Sequence, residues 1–173
     1  YKACRMKAPE DSNVFVPQLR DRAVEAGLGI YATWREADDL VCMWATQCVA
    51  AGVDYTIVSV DKDLKCIPGK HYNPKTKEHC NVTQVEALRF QYAQLLMGDP
   101  VDDIPGIYRM GPKTAAKLLK DCDSEDEMQF VVTSEYQNAY GDKWEEYLLA
   151  NGKLLHIQRH EDDWFTLRDW MVA

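Results

Sequence analysis

Tyr55-Thr56-Ile57-Val58-Ser59-Val60-Asp61-Lys62-Asp63 is the stretch that decides the fold. Six β-prone residues without clean polar alternation predict a strand covered on both faces, the pattern of a parallel sheet. Two aspartates follow at once. In parallel α/β sheets, functional groups collect beyond the carboxyl ends of the strands. Upstream, Leu28–Thr33 reads as a second short strand, and Glu36 to Ala51 as a helix with Leu40, Met43, Trp44 and Gln47 at helical spacing. An earlier helix, capped by Asp11 or Ser12, carries Phe15, Leu19, Ala23 and Ala26 and stops at Gly27. Downstream, His71–Val82 reads as a hairpin. Thr83-Gln-Val-Glu86 is a capping box that opens a helix to Met97. Pro112 suits the first position of a helix through Lys120. Asp123 or Ser124 caps another, Lys143–Gln158 reads as a longer one, and Trp164–Val172 as a terminal strand or docked tail. The order predicts an α/β half with a mainly parallel, Rossmann-like sheet, then a helical half.

Composition narrows the class. The 173 residues are 46 % hydrophobic, enough for one domain with a core and too many for a disordered chain. Apolar runs are far too short for a membrane span, and no secretory pattern opens the chain. Six cysteines (Cys4, Cys42, Cys48, Cys66, Cys80, Cys122) show no paired spacing and read as reduced thiols of a cytosolic protein. The net charge of −8 argues against a generic nucleic-acid coat protein, though not against a nuclease whose carboxylates hold cations. Tyr1 stands where a methionine is usual, which reads as processing or as a piece of a longer chain.

Three acidic clusters carry the chemistry: Glu36-Ala-Asp38-Asp39, Asp61-Lys-Asp63 and Asp99-Pro-Val-Asp102-Asp103. Each alone has an ordinary explanation, as a helix cap, a solvated loop or a turn. The three in this order, each at an element boundary, point instead to one site. Gathered without partners, eight carboxylates would repel one another; hard divalent cations such as magnesium or manganese remove that repulsion.

Residues 105–119 read as a helix–turn–helix. Gly106 and Gly111 permit positive φ and close backbone approach. The free N–H groups at the second helix start suit a phosphate, and Lys113, Lys117 and Lys120 add charge for sequence-independent backbone contact. Lys2 and Arg5 read as a phosphate clamp or an exposed end.

Taken as a set, Tyr1-Lys2-Ala3-x-Arg5, Glu36-Ala-Asp-Asp, Ser59-Val-Asp-Lys-Asp-Leu, Gly98-Asp-x-x-Asp-Asp-Ile-Pro-Gly and Met110-Gly-Pro-Lys-Thr-Ala resemble the structure-specific 5′-nuclease family. That family includes flap endonucleases, the 5′-exonuclease domain of bacterial DNA polymerase I and phage 5′–3′ exonucleases. The resemblance runs in order from residue 1 to about residue 120. It implies a PIN-like α/β fold, with residues 1–97 the core plus an arch remnant and residues 98–173 the helix–turn–helix region and tail, in one compact unit. It further implies cleavage of phosphodiester bonds near a DNA 5′ end or flap with two magnesium or manganese ions. Glu36, Asp38 and Asp39 match ligands of the first ion, and Asp61, Asp63, Asp99 and Asp102 those of the second. Lys2 and Arg5 match basic catalytic residues of the arch. Gly106, Gly111, Lys113, Thr114 and Lys117 match the duplex-binding element, where members also hold potassium. Asp103 departs from the asparagine of many members. The family's first strands, each with an aspartate, have no counterpart here, so the chain reads as N-terminally incomplete and weak or inactive alone. Its implied partners are DNA and either the absent segment or a replication protein, with no membrane, in the cytoplasm of a bacterium or phage-infected host.

Two other classes fit parts of the pattern: a non-catalytic DNA-binding fragment of such a nuclease, and a PIN-like ribonuclease. The Gly-Pro-Lys-Thr turn speaks against the ribonuclease. His71, His79 and Cys80 lack a fourth zinc ligand at suitable spacing, and the five tryptophans read as core or tail anchors rather than base-stacking platforms.

Overall fold

A computed structural model of the chain describes residues 12–168 and 170. Helix α1 covers Ser12–Glu25, and the chain leaves it through Gly27 at φ 68°. Helix α2 covers Ala37–Ala51. Its cap is the acidic cluster itself: Glu36 receives the backbone N–H of Asp39, and Asp39 receives that of Glu36. Between them, Leu28–Thr33 forms no strand. Among the described residues it has no hydrogen-bonded neighbour strand, and a β-prone run without one does not hold a pleat. Leu28 is 82 % exposed, and the segment's fixed point is the Tyr31 hydroxyl, which donates to Asp21.

The larger sheet has the order β1 (Thr56–Val58), β2 (Gly69–Asn73), β3 (Glu78–Val82). Strand β1 runs parallel to β2, with Thr56 opposite Lys70; β2 runs antiparallel to β3, with Gly69 opposite Val82. The sheet is therefore mixed and not mainly parallel. The reason is local: β2 and β3 are joined by a short turn, in which Asn73 Oδ1 accepts from Lys75 N, and a tight hairpin is antiparallel by construction. Two-faced burial of β1 also fails. Only Ile57 of the strand is buried, while Val58 is 62 % exposed. Ile57 packs with Cys42, Ala45, Leu64 and Ile67 in a small core under α2.

The main core is helical. Helices α3 (Gln84–Met97), α4 (Pro112–Leu119), α5 (Glu125–Tyr140) and α6 (Trp144–Leu155) bury Leu96, Ala115, Leu119, Met128, Val132, Tyr136 and Leu148 almost completely. Each large apolar side chain buried there contributes about 1.5–3 kcal/mol. The capping box Thr83/Glu86 opens α3 as its sequence predicts, and of the two caps expected for α5 it is Ser124 that serves, in a box with Glu127. One buried polar chain ties the helices together. Asn151 Nδ2 donates to Tyr136 Oη at 2.9 Å and to Pro105 O, and Tyr136 Oη donates to Leu95 O.

A two-strand hairpin links α3 to α4: β4 (Gly98–Asp99) pairs antiparallel with β5 (Ile104–Pro105). Gly98 takes the left-handed φ of 69°. Gly106 and Gly111 do not; Arg109 makes the positive-φ turn before α4 instead. Gly106 realises the other expectation, close approach, because a Cβ there would lie 2.0 Å from the Met97 carbonyl.

Helix α6 stops at Leu155, short of the expected Gln158. His156 turns extended, and Gln158 N donates to Asp39 Oδ1 at 2.9 Å, a tether that a continued helix would forbid. Among its described residues the tail then docks without forming a strand: Phe165 lies against Gly152, and the ring of Trp170 against Tyr92. Among the described residues, no helix is long and apolar enough to cross a membrane.

Candidate metal centre

A pocket of about 510 Å³ opens where α2, β4 and the tail meet. The first turn of α2 brings Glu36, Asp38 and Asp39 to its wall. The 3-10 turn after β1 brings Asp63, β4 brings Asp99, and the following loop brings Asp102. The three acidic clusters, up to 66 positions apart from Glu36 to Asp102, thus share one cavity. Further lining comes from Lys153, His156, Gln158, Asp163 and Trp164, in and after α6.

The carboxylates differ in how they are held. Asp39 is buried and has both oxygens in use, Oδ2 accepting from Glu36 N and Oδ1 from Gln158 N. It joins α2 to the tail. Asp63 accepts from Gln94 Nε2 at 2.8 Å. Burial, opposed by Lys62 and reinforced by the negative charges of Asp61, Asp99 and Asp38, raises the Asp63 carboxyl above its ordinary pKa. Asp99 is buried, and its Oδ1 accepts from Val101 N at 2.8 Å. The Oδ1 of Asp102 is shut off from solvent. Asp61 lies outside the lining: its Oδ1 accepts from Asp63 N, and its negative charge acts on the Asp63 carboxyl. Asp103 sits at φ 61°, a left-handed conformation that aspartate and asparagine tolerate better than most residues.

Asp163 anchors the lining that follows α6. Burial works against its charge, but hydrogen bonds from His156 and Arg159 outweigh that and hold its carboxyl well below the usual range. Gln94, Lys153, His156 and Asp163 carried no sequence signal for this site. Nor did Trp34 and Trp164, which line the pocket and are exposed, contrary to their reading as anchors. Of the duplex-binding candidates, Gly111 caps α4, and Lys113, Thr114 and Lys117 face solvent on it. Lys2 and Arg5 lie outside the described residues.

The donor set is all hard oxygen, which fits magnesium or manganese and not a thiolate metal. Among the described residues, no three histidine, cysteine, aspartate or glutamate side chains form a ready cage.

No family model matches the chain. It is 33 % identical over 172 residues to a protein named DNA polymerase I of Rhizobium leguminosarum, covering 92 % of this chain and 16 % of that one. It is 32 % identical over 130 residues to a 5′-3′ exonuclease of Aquifex aeolicus, covering 69 % and 45 %. A flap endonuclease Xni of Photorhabdus laumondii is 28 % identical over 169 residues, covering 92 % and 65 %. The fold is similar to that of the T5 D15 protein, crystallised with metal ions, at a TM-score of 0.53 and 15 % identity, over 84 % of this chain and 67 % of that one. The chain is thus similar to 5′-nucleases in sequence and to one nuclease-like fold in structure. It spans less than two thirds of the length of each of these three relatives.

Proposed function

We propose that this chain works as a divalent-metal-dependent 5′-nuclease, hydrolysing phosphodiester bonds near a DNA 5′ end or flap. The observation that carries the reading is one pocket lined by Asp38, Asp63, Asp99 and Asp102, carboxylates from three separate clusters. With Glu36 and Asp39, also in the lining, and Asp61, whose charge acts on Asp63 from outside it, these groups would hold two ions, magnesium or manganese. Such ions supply Lewis-acid polarisation of the phosphoryl group and a water acidic enough to lose its proton near neutrality. The protein's own part is positional: Gln94 orients Asp63, and Asp39 fastens the tail that adds to the lining. Gly106, Gly111, Lys113, Thr114 and Lys117 would hold duplex backbone as the second half of a helix–turn–helix, with potassium as an ion of that turn, and Lys2 and Arg5 would face the scissile phosphate. The reading carries with it a cytoplasmic site of action and a replication protein as a further partner.

The test compares a 5′-labelled flap with single-stranded RNA in magnesium, manganese and excess chelator. Of the two, the flap alone is expected to be cut, only with a divalent ion, and weakly by this chain on its own. Gln94→Leu should lower the rate by about 10–100-fold, as loss of an outer-shell partner does, and Asp63→Asn should lower it further. Flap binding without cleavage in either metal would favour the DNA-binding fragment, and cleavage of the RNA alone the ribonuclease.

A further inference from the structure

Trp34 holds a left-handed backbone at φ 68° while its side chain is fully exposed, at 102 %. A bulky residue in that region is strained, and glycine would sit there freely. An exposed indole returns nothing to the core in exchange, and strain of this kind collects at functional sites. Trp164, in the same lining, is 70 % exposed. It is not loose, because both neighbours are fixed: Asp163 by His156 and Arg159, Phe165 against Gly152. Two indoles thus line the cavity that holds Asp38, Asp63, Asp99 and Asp102, and Lys153 lines it as well. The acidic lining repels a phosphate chain. Ring stacking does not depend on that charge, and every base has a π-face to offer.

We propose that Trp34 and Trp164 are stacking platforms for unpaired bases of a nucleic-acid strand that runs past the carboxylate pocket. The identity of the ligand rests on the nuclease reading; the platforms rest on exposure, strain and shared lining. They engage the single-stranded arm of a flap, whereas the lysines of α4 engage duplex.

The experiment measures binding, in calcium, of two duplexes: one with a 5′ arm of thymidines, the other with abasic sites at the same positions. The full chain is expected to prefer the thymidine arm by about 5- to 150-fold, the span of stacking on one base. Trp34→Ala and Trp164→Ala should each reduce that preference, and together abolish it; the phenylalanine variants should keep most of it. Trp34→Gly should raise Tm while weakening the thymidine arm, a split that no purely structural role produces. Equal binding of the two arms by the parent, or undiminished preference in the double variant, overturns the proposal. Absence of metal-dependent cleavage with the base preference intact overturns only the nuclease reading.

Discussion

A methyl group at residue 106 would meet the Met97 carbonyl carbon and oxygen at 2.0 Å and the Gly98 nitrogen at 2.5 Å. These are backbone atoms at the junction of α3 and β4, so they cannot rotate away. Gly106→Ala is expected to destabilise by about 3 kcal/mol, the upper range for overpacking, and to lower Tm by about 6–12 °C for a chain of this size. Gly111 is the internal control. It has open space and no positive φ, so Gly111→Ala should lose about 1 kcal/mol or less, the difference between glycine and alanine at an N-cap. Thermal melts of the two variants decide it; equal losses would mean that the hairpin does not approach α3 as described. The sequence marks both glycines as permissive, yet which one uses that freedom depends on a contact with Met97, nine residues back. Asp39 makes the same point. Its charge and place in the acidic cluster were legible, but not that both its oxygens accept backbone N–H groups.

Elements that begin with a local device were readable, and those that end on a distant contact were not. Thr83, Ser124 and Glu36 cap helices through groups three residues on. The end of α6 and the course of the tail depend on Asp39, 119 positions away from Gln158, and on the knot of His156, Arg159 and Asp163. That knot gives the segment a pH signature. The folded pKa of Asp163 lies below its ordinary 3.8. Its ionised form therefore adds stability that is complete above about pH 4 and is lost as the pH falls through the folded pKa. Asp163→Asn is expected to be less stable than the parent at pH 7 by about 1–3 kcal/mol, the worth of hydrogen bonds to a charged group. The gap should narrow as the pH drops below 4. Melting temperatures of both proteins from pH 7 to pH 2 measure it, and parallel curves would show that Asp163 does not carry the charge.

At the scale of the whole molecule, the sequence conveyed the order of an α/β part and a helical part. It did not convey the make-up of the sheet, because pairing is a property of neighbours: Leu28–Thr33 has strand composition but no adjacent strand among the described residues, and β2 answers to its hairpin. The convergence of acids was legible because like charges at three element boundaries need a common remedy, and Asp63 shows how that remedy can be measured. Burial first, then the fields of Asp61, Asp99 and Asp38 raise its pKa over the opposing pull of Lys62. A raised carboxyl favours the unfolded chain above its ordinary pKa of 3.8, so at pH 7 its ionisation is a destabilising load. In chelator, Asp63→Asn should therefore melt higher than the parent, by about 2–4 °C if roughly 1 kcal/mol is released. A divalent ion reverses the sign, because it binds the folded pocket and not the unfolded chain. At ten times its Kd it stabilises the parent by about 1.4 kcal/mol, or about 3–6 °C for a chain of this size. The variant, missing one carboxylate, should gain much less. Melting curves of the two proteins should thus exchange order between chelator and saturating magnesium. Failure of the order to exchange would mean that Asp63 does not help to hold the ion, and the pocket would lose its claim to be a metal centre.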